Sequence, residues 1–439
     1  MAEVIPFQGI RYNPGIVGNL ADVICPPYDV INLRQQEYYY KKSSYNAIRL
    51  EYMKAQHGGN AITGKYSKAA STFQQWLKEG ALQFDDQPAF YLHDHYYNYS
   101  GETKRRRGLL ACVKLEPWYS GIYPHEETFS KVKRDRLQLM RTCHTNFSSI
   151  FTLYQDLDGR IARILSEVSQ GKPIIELSDS GESHVVWMIT EPESIHQISD
   201  IFISQSLYVA DGHHRYETAL AYQCERMHSR PDEGLNKAGT LLAGMEAFNY
   251  MMMTLVDFSD PGLLALPIHR LVRGIAPSML SEMKGKLNSF FVLESVPLSE
   301  GLVGNLKCKM TAGAFLGILG LEVEALILLK RKPGVSIEDT MPKGRSKAYR
   351  NLNVSLLTQL VLGQVLDIAQ DSEDIAYTTD VNEAYQKIKY GEYQLAFLLD
   401  SLKPEMVKTI ADARDRMPRK STYFYPKLPT GLIINYLSD

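Results

Sequence analysis

The chain has 439 residues, 44% of them hydrophobic and 22% charged, with a formal net charge of −2. Such a composition excludes intrinsic disorder, and the lack of a basic excess argues against nucleic acid as a partner. The length suffices for two or three domains with sizeable cores.

Cys25, Cys112, Cys143, Cys224 and Cys308 are scattered with no C-x-x-C pair, as expected of reduced intracellular thiols. The N-terminus, Met-Ala-Glu-Val-Ile-Pro, carries no basic region followed by an apolar run, so no secretory signal is read. The most apolar stretch, 312–329, is interrupted by Glu322 and Glu324, which a membrane helix tolerates worst at its middle. A cytoplasmic location is expected.

In chain order, Cys25-Pro26-Pro27-Tyr28-Asp29-Val30 is an extended turn fixed by two prolines. Residues 65–79 read as an amphipathic helix, with Phe73, Trp76 and Leu77 at helical spacing. Residues 89–98 and 108–115 read as strands of a hairpin, joined by turn-forming residues around Ser100-Gly101. The basic run Lys104-Arg105-Arg106-Arg107 is expected at a solvated strand edge. His93-Asp94-His95 places two histidines on one strand face. With no third ligand evident, a packed or exposed aromatic face is favoured there over a metal site.

Further along, 131–145 and 159–169 read as helices, with a strand at 148–154 between them. The polar, glycine-bearing stretch 171–183 marks a boundary. Strand 185–189, helix 193–203, strand 207–210, helix 216–227 and strand 250–256 follow. Beyond residue 260 come helix 278–288, apolar strands near 313–329 and helix 354–369, and the proline- and aromatic-rich tail 417–437 reads as loop and strand. The expected fold class is mixed α/β, with an N-terminal region 1–180, a core 181–260 and a C-terminal region 261–439.

The strongest chemical signal is Leu207-Tyr208-Val209-Ala210-Asp211-Gly212-His213-His214-Arg215-Tyr216. A short apolar strand stops at Asp211, Gly212 permits a sharp path, and a helix starts at once. Helix N-termini present N–H groups and partial positive charge, so the turn is a candidate anion site. Arg215 adds a planar fork suited to phosphate, while His213 and His214 offer hydrogen bonds and proton transfer. Asp211 suits a general base or metal holder better than an anion site. A turn whose histidines merely cap and pack is the plainer alternative. Asp, Gly, two His and Arg within five residues favour a site.

The D-G-H-H-R segment, with a strand before and a helix after, resembles the signature of the ParB/sulfiredoxin-like superfamily. That resemblance implies a ParB/sulfiredoxin-like core binding nucleotide phosphates at this turn; the superfamily includes CTP-using partition proteins, sulfiredoxins and free-serine kinases. More broadly, the chain resembles a bacterial and archaeal family catalogued as a domain of unknown function. The shared landmarks are residues 25–30, Pro124-His125-Glu126-Glu127-Thr128, D-G-H-H-R-Y-E-T, Asp260-Pro261-Gly262, His269-Arg270, and Ser421 to Lys427.

Pro124-His125-Glu126-Glu127-Thr128 is not a zincin helix, because Phe129 stands where a second histidine is required. Glu126 is read as a base or Mg2+ holder, against a plain polar loop. His269 and Arg270 could meet phosphate or cap the next segment, and Lys427 lies on a proline-restricted tail with Arg419 and Lys420. Taken together, the expectation is a nucleotide-dependent phosphotransferase acting on a small hydroxyl-bearing metabolite, serine-like in kind. Asp211, His213 and Glu126 would be catalytic. Gly212, His214, Arg215, His269, Arg270 and Lys427 would hold the phosphates of ATP, ADP or CTP, and Asp211 and Glu126 would hold Mg2+. The alternative is a non-catalytic nucleotide sensor. No membrane partner is expected, DNA binding is disfavoured, and homo-oligomerisation is left open.

Overall fold

Alternating side chains carry Phe90–Tyr99 and Glu102–Lys114 into a long antiparallel hairpin. Ser100 and Gly101 at its turn have φ of 53° and 82°, the paired positive values whose twist matches the flanking strands. The computed structural model describes residues 2–54, 61–128, 130–228, 246–298 and 315–437. Cys308 and the first residues of the expected 313–329 strands lie outside them.

The fold is mixed α/β, and the chain divides into two units. The first comprises 1–124, 128–263 and 426–439, and the second comprises 125–127 and 264–425. Nine described strands of the first unit share one sheet, in which Val4–Ile5 flanks Glu102–Lys114. The remaining eight run in the order Ile122–Tyr123, Leu207–Asp211, Ile150–Tyr154, Tyr250–Asp257, Glu102–Lys114, Phe90–Tyr99, Glu182–Ile189 and Ile175–Asp179. Two pairings are parallel, 122–123 with 207–211 and 150–154 with 250–257. Strands from 1–180 and from 181–260 therefore interleave in one sheet.

Helices Ser130–Cys143, Arg160–Val168, Pro192–Ile203 and His213–His228 cover one face through Met140, Leu165, Phe202 and Tyr216 against Leu92, Leu109, Met253 and Val209. The opposite face packs Tyr91, Leu110, Cys112 and Met252 against Phe7, Ile24 and the tail residues Leu432 and Ile433. Apolar burial on both faces drives the assembly, at roughly 25 cal/mol per Å² removed from water.

One expectation fails here. The basic run is not at an edge: strand 102–114 lies between two neighbours, and Arg106 is only 2% exposed. The strand continues through the run instead of starting after it, so pleating turns Arg106 into the interior. Arg105 remains exposed, and Arg107 pairs bidentately with Asp94 at 2.7 Å.

The second unit has a wholly antiparallel six-stranded sheet, ordered Phe291–Pro297, Ala325–Arg331, Leu316–Leu319, Leu395–Leu398, His269–Val272 and Ile375–Thr378. Leu271, Leu326, Ala396 and Leu398 contribute to its core. Leu264–Leu266 pairs separately with Tyr423–Tyr425. The expected helix 354–369 is one α-turn, Asn353–Leu356, followed by a π-helix, Leu357–Val365. Among the described residues, no helix is long and apolar enough to cross a membrane.

Candidate functional site

Strand Leu207–Asp211 ends in an irregularity between Val209 and Asp211 that sets Asp211 opposite Phe151. Gly212 follows with φ of 98°, and a Cβ there would stand 3.0 Å from the Arg215 guanidinium. Only glycine takes this path without strain. Helix His213–His228 starts at once, its first internal bond running from Tyr216 N–H to Gly212 C=O at 3.0 Å. The N–H groups of His213, His214 and Arg215 therefore precede that bond, at the positive end of the helix. The strand–turn–helix expected from the sequence is present, with the helix starting at His213. The His213 side chain is buried and His214 is half-buried.

Asp211 is the hub. Lys427 Nζ reaches its Oδ1 at 2.5 Å, and Arg215 Nη2 donates to its Oδ2 at 2.9 Å. Burial pushes the carboxyl up, but Lys427 and Arg215 outweigh it and hold Asp211 well below the ordinary carboxylate range. Arg215 also donates through Nη1 to Ser149 C=O at 2.5 Å and to Ser148 Oγ at 3.1 Å. Its fork is thus engaged by the protein on both nitrogens.

Behind Arg215 lies a polar shell that sequence reasoning missed. Ser148 Oγ donates to Glu51 Oε1 at 3.2 Å, and Arg136 Nη1 meets the same oxygen at 3.4 Å. Arg136 in turn sits over the Tyr28 ring, 4.1 Å from its centroid. Burial raises the Tyr28 phenol, with Arg136 and Arg215 pulling the other way. Hence the proline-fixed 25–30 turn belongs to the neighbourhood of Arg215. A cavity of about 30 Å³ lined by Glu51, Arg136, Ser148 and Arg215 has room for about one water. A larger groove of about 440 Å³ between helices 160–168 and 192–203 carries Arg160, Arg163, Glu167 and Asp200, and none of the candidate residues.

Arg106 is the other missed residue. Its Nη1 donates to Pro426 C=O at 2.6 Å, beside Lys427, and its guanidinium lies 4.9 Å from the Phe151 ring centroid. Burial pulls its pKa down to about 10, against the opposing pull of Tyr97, Asp260, Glu182 and Asp211.

Asp211 to Arg215 and Lys427 belong to the first unit, and Glu126, His269 and Arg270 belong to the second. Glu126 Oε1 accepts from Lys420 N–H at 3.1 Å, and residue 126 bridges Met417. His125 Nε2 meets Thr422 Oγ1 at 2.9 Å. Within the second unit, residues 125–126 of one landmark therefore neighbour 417–422, where the Ser421–Lys427 landmark begins. Arg270 is buried in strand 269–272 and donates to Ile268 C=O at 2.6 Å and Lys420 C=O at 2.9 Å. His269 Nδ1 accepts from Leu399 N–H at 3.2 Å. Burial and then Arg270 pull the His269 imidazole down to about 4.

A family model described as "Protein of unknown function (DUF1015)" matches residues 4–355. The chain belongs to that family. No curated protein matches this DUF1015 member. Among solved structures, a free serine kinase in complex with AMP is similar at 10% identity and a TM-score of 0.36, covering 72% of this chain and 86% of that one. A conserved hypothetical protein from Pyrococcus furiosus is similar at 11% identity and 0.35, covering 73% and 93%. SbnI with C-terminal truncation, from Staphylococcus aureus, is similar at 9% identity and 0.35, covering 74% and 87%.

Proposed function

We propose that this DUF1015 protein is a nucleotide-dependent phosphotransferase acting on a small hydroxyl-bearing metabolite in the cytoplasm. One observation carries the reading: two cations, Arg215 and Lys427, converge on the single carboxylate Asp211 at a helix N-terminus. Two cations gathered at one carboxylate beside the positive end of a helix suit a phosphate. The N–H groups at Gly212–His214 and the Lys427 ammonium would take the phosphate oxygens. Arg215, fixed by Asp211, Ser148 and Ser149, would hold the turn in shape and add charge from behind. His213 and His214 are the candidates for moving the acceptor's proton.

Mg2+ fits Asp211 poorly, because Lys427 and Arg215 already engage its two oxygens. The expectation that Asp211 and Glu126 hold the metal gains no support from this geometry, and no step is routed through it. Phosphoryl transfer depends mainly on positioning and charge compensation, which the cationic turn supplies.

A second reading is a non-catalytic nucleotide sensor, favoured by one observation: both oxygens of Asp211, a candidate base in the sequence, are already engaged by Lys427 and Arg215. Turnover separates the two. Incubated with labelled ATP and a metabolite pool, the kinase releases ADP only when a hydroxyl acceptor is present. Binding without acceptor-dependent release leaves the sensor.

A further inference from the structure

The pair His93 and His95, read from the sequence as lacking a third ligand, gains two further groups from a strand distant in the chain. In the sheet, His95 stands directly opposite His184 on one side and Arg106 on the other. Glu182 lies two residues before His184 on the same strand, so the pleat keeps both on one face. His95 Nε2 and Glu182 Oε2 are 2.7 Å apart, and the His95 and His184 ring centroids are 4.1 Å apart. One ligand atom from each of His95, Glu182 and His184 falls within 4.8 Å of the others.

We propose that His95, His184 and Glu182 bind one first-row divalent metal ion, Zn2+ being the best fit, with a fourth position open on the Glu182 side. Two imidazoles and one carboxylate form a borderline donor set that suits Zn2+ and its neighbours and does not suit Mg2+. Three protein ligands with one open position is also the arrangement found where a metal does chemistry. The imidazoles are 1–3% exposed while the Glu182 side chain is 34% exposed, so the site opens to solvent past the carboxylate. A tetrahedral ion about 2.1 Å from each ligand sets neighbouring ligand atoms about 3.4 Å apart, so the His95–Glu182 pair opens by less than about 1 Å.

Groups around the ligands support the assignment. His184 Nδ1 and His93 Nε2 are 3.0 Å apart, a hydrogen bond that fixes the His184 ring and aims its Nε2 away from His93, as an outer partner of a ligating histidine does. Arg106 Nη2 faces His95 Nδ1 at 3.2 Å. The guanidinium has only protons to give, so in the metal-free cluster the His95 proton resides on Nε2, in the bond to Glu182. To present a neutral Nε2 to the ion, the His95 proton moves to Nδ1 and the Arg106 guanidinium turns off that nitrogen.

The test uses the full chain, stripped with a chelator and dialysed against Zn2+ alone, with bound metal measured by elemental analysis. The expected result is one ion per chain. In a parallel sample loaded with Co2+ alone, the visible bands of a four-coordinate site should appear. Glu182→Gln, at a partly exposed position, and His184→Asn should each abolish stoichiometric uptake while far-UV circular dichroism and melting confirm folding. His93→Phe should retain binding at about 10- to 100-fold lower affinity. If Glu182→Gln does not fold, His93→Phe carries the test. Wild-type protein that takes up no Zn2+, or folded variants that bind as wild type does, would overturn the proposal.

Discussion

At the scale of single residues, Gly212 is the most constrained position in the turn. With φ of 98° and the Arg215 guanidinium 3.0 Å from any added Cβ, Gly212→Ala meets both backbone strain and crowding. A loss of about 1–3 kcal/mol in urea unfolding is expected. A change below about 0.5 kcal/mol would mean that the turn relaxes freely. His269 supplies a pH dependence with a definite sign. Its folded-state pKa of about 4 lies below the ordinary 6.5, so between those values the unfolded state binds the extra proton. The stability it contributes is complete above about pH 6.5 and falls as the pH drops towards 4. Between pH 7 and pH 5 this one group should remove about 2 kcal/mol. Denaturant titrations of wild type and His269→Asn at the two pH values test it, the variant showing a smaller difference. An equal difference in both would assign the effect to other groups.

At the scale of elements, most helices and strands were legible because their periodicity is strong: 65–79 and 278–288 as helices, 250–256 as a strand. What escaped has physical reasons. A π-helix has no distinct hydrophobic period, so 357–365 reads as ordinary helix. A basic run inside a central strand looks identical to one at an edge until the pairing is known, and this hid Arg106. The 171–183 stretch reads as a boundary from its polarity, yet it contains strand Ile175–Asp179. Asp260-Pro261-Gly262, noted only as a landmark, turns out to be a clasp on the basic strand. Asp260 accepts from Arg107 N–H at 3.1 Å, and Tyr97 donates to Gly262 C=O at 2.7 Å. A Cβ on Gly262 would stand 2.1 Å from the Arg105 carbonyl oxygen. Gly262→Ala must therefore push backbone from backbone, and a loss of about 1–3 kcal/mol or more is expected, read as a lowered melting temperature. An unchanged melting temperature would show that the 260–262 turn lifts away without penalty.

At the scale of the whole molecule, the sequence revealed the class of fold and the turn at Asp211 but not the assembly around it. The first unit is discontinuous, closed by 426–439, so Lys427 reaches Asp211 across 216 residues. No local pattern announces such a contact. Glu51, Arg136 and Ser148 were missed for the same reason: each is an ordinary polar residue until the fold brings them to Arg215. The assembled geometry makes Lys427 a sharper probe of the turn than Arg215. Arg215→Ala would break its bonds to Asp211, Ser148 and Ser149 and so mix stability with affinity, whereas Lys427→Ala removes the salt bridge to Oδ1 of the Asp211 carboxylate and leaves the Arg215 bonds in place.

The central claim, that the turn at Asp211–Arg215 with Lys427 binds nucleotide phosphate, is tested most directly by calorimetric titration. ATP, ADP and CTP, each with and without Mg2+, are titrated into wild type and Lys427→Ala, with a melting curve for each protein. A charge-assisted hydrogen bond contributes about 1.5–3 kcal/mol, so the variant should bind roughly ten- to hundred-fold more weakly while remaining folded. Failure of the wild type to bind any of the three nucleotides would contradict the kinase and the sensor readings together.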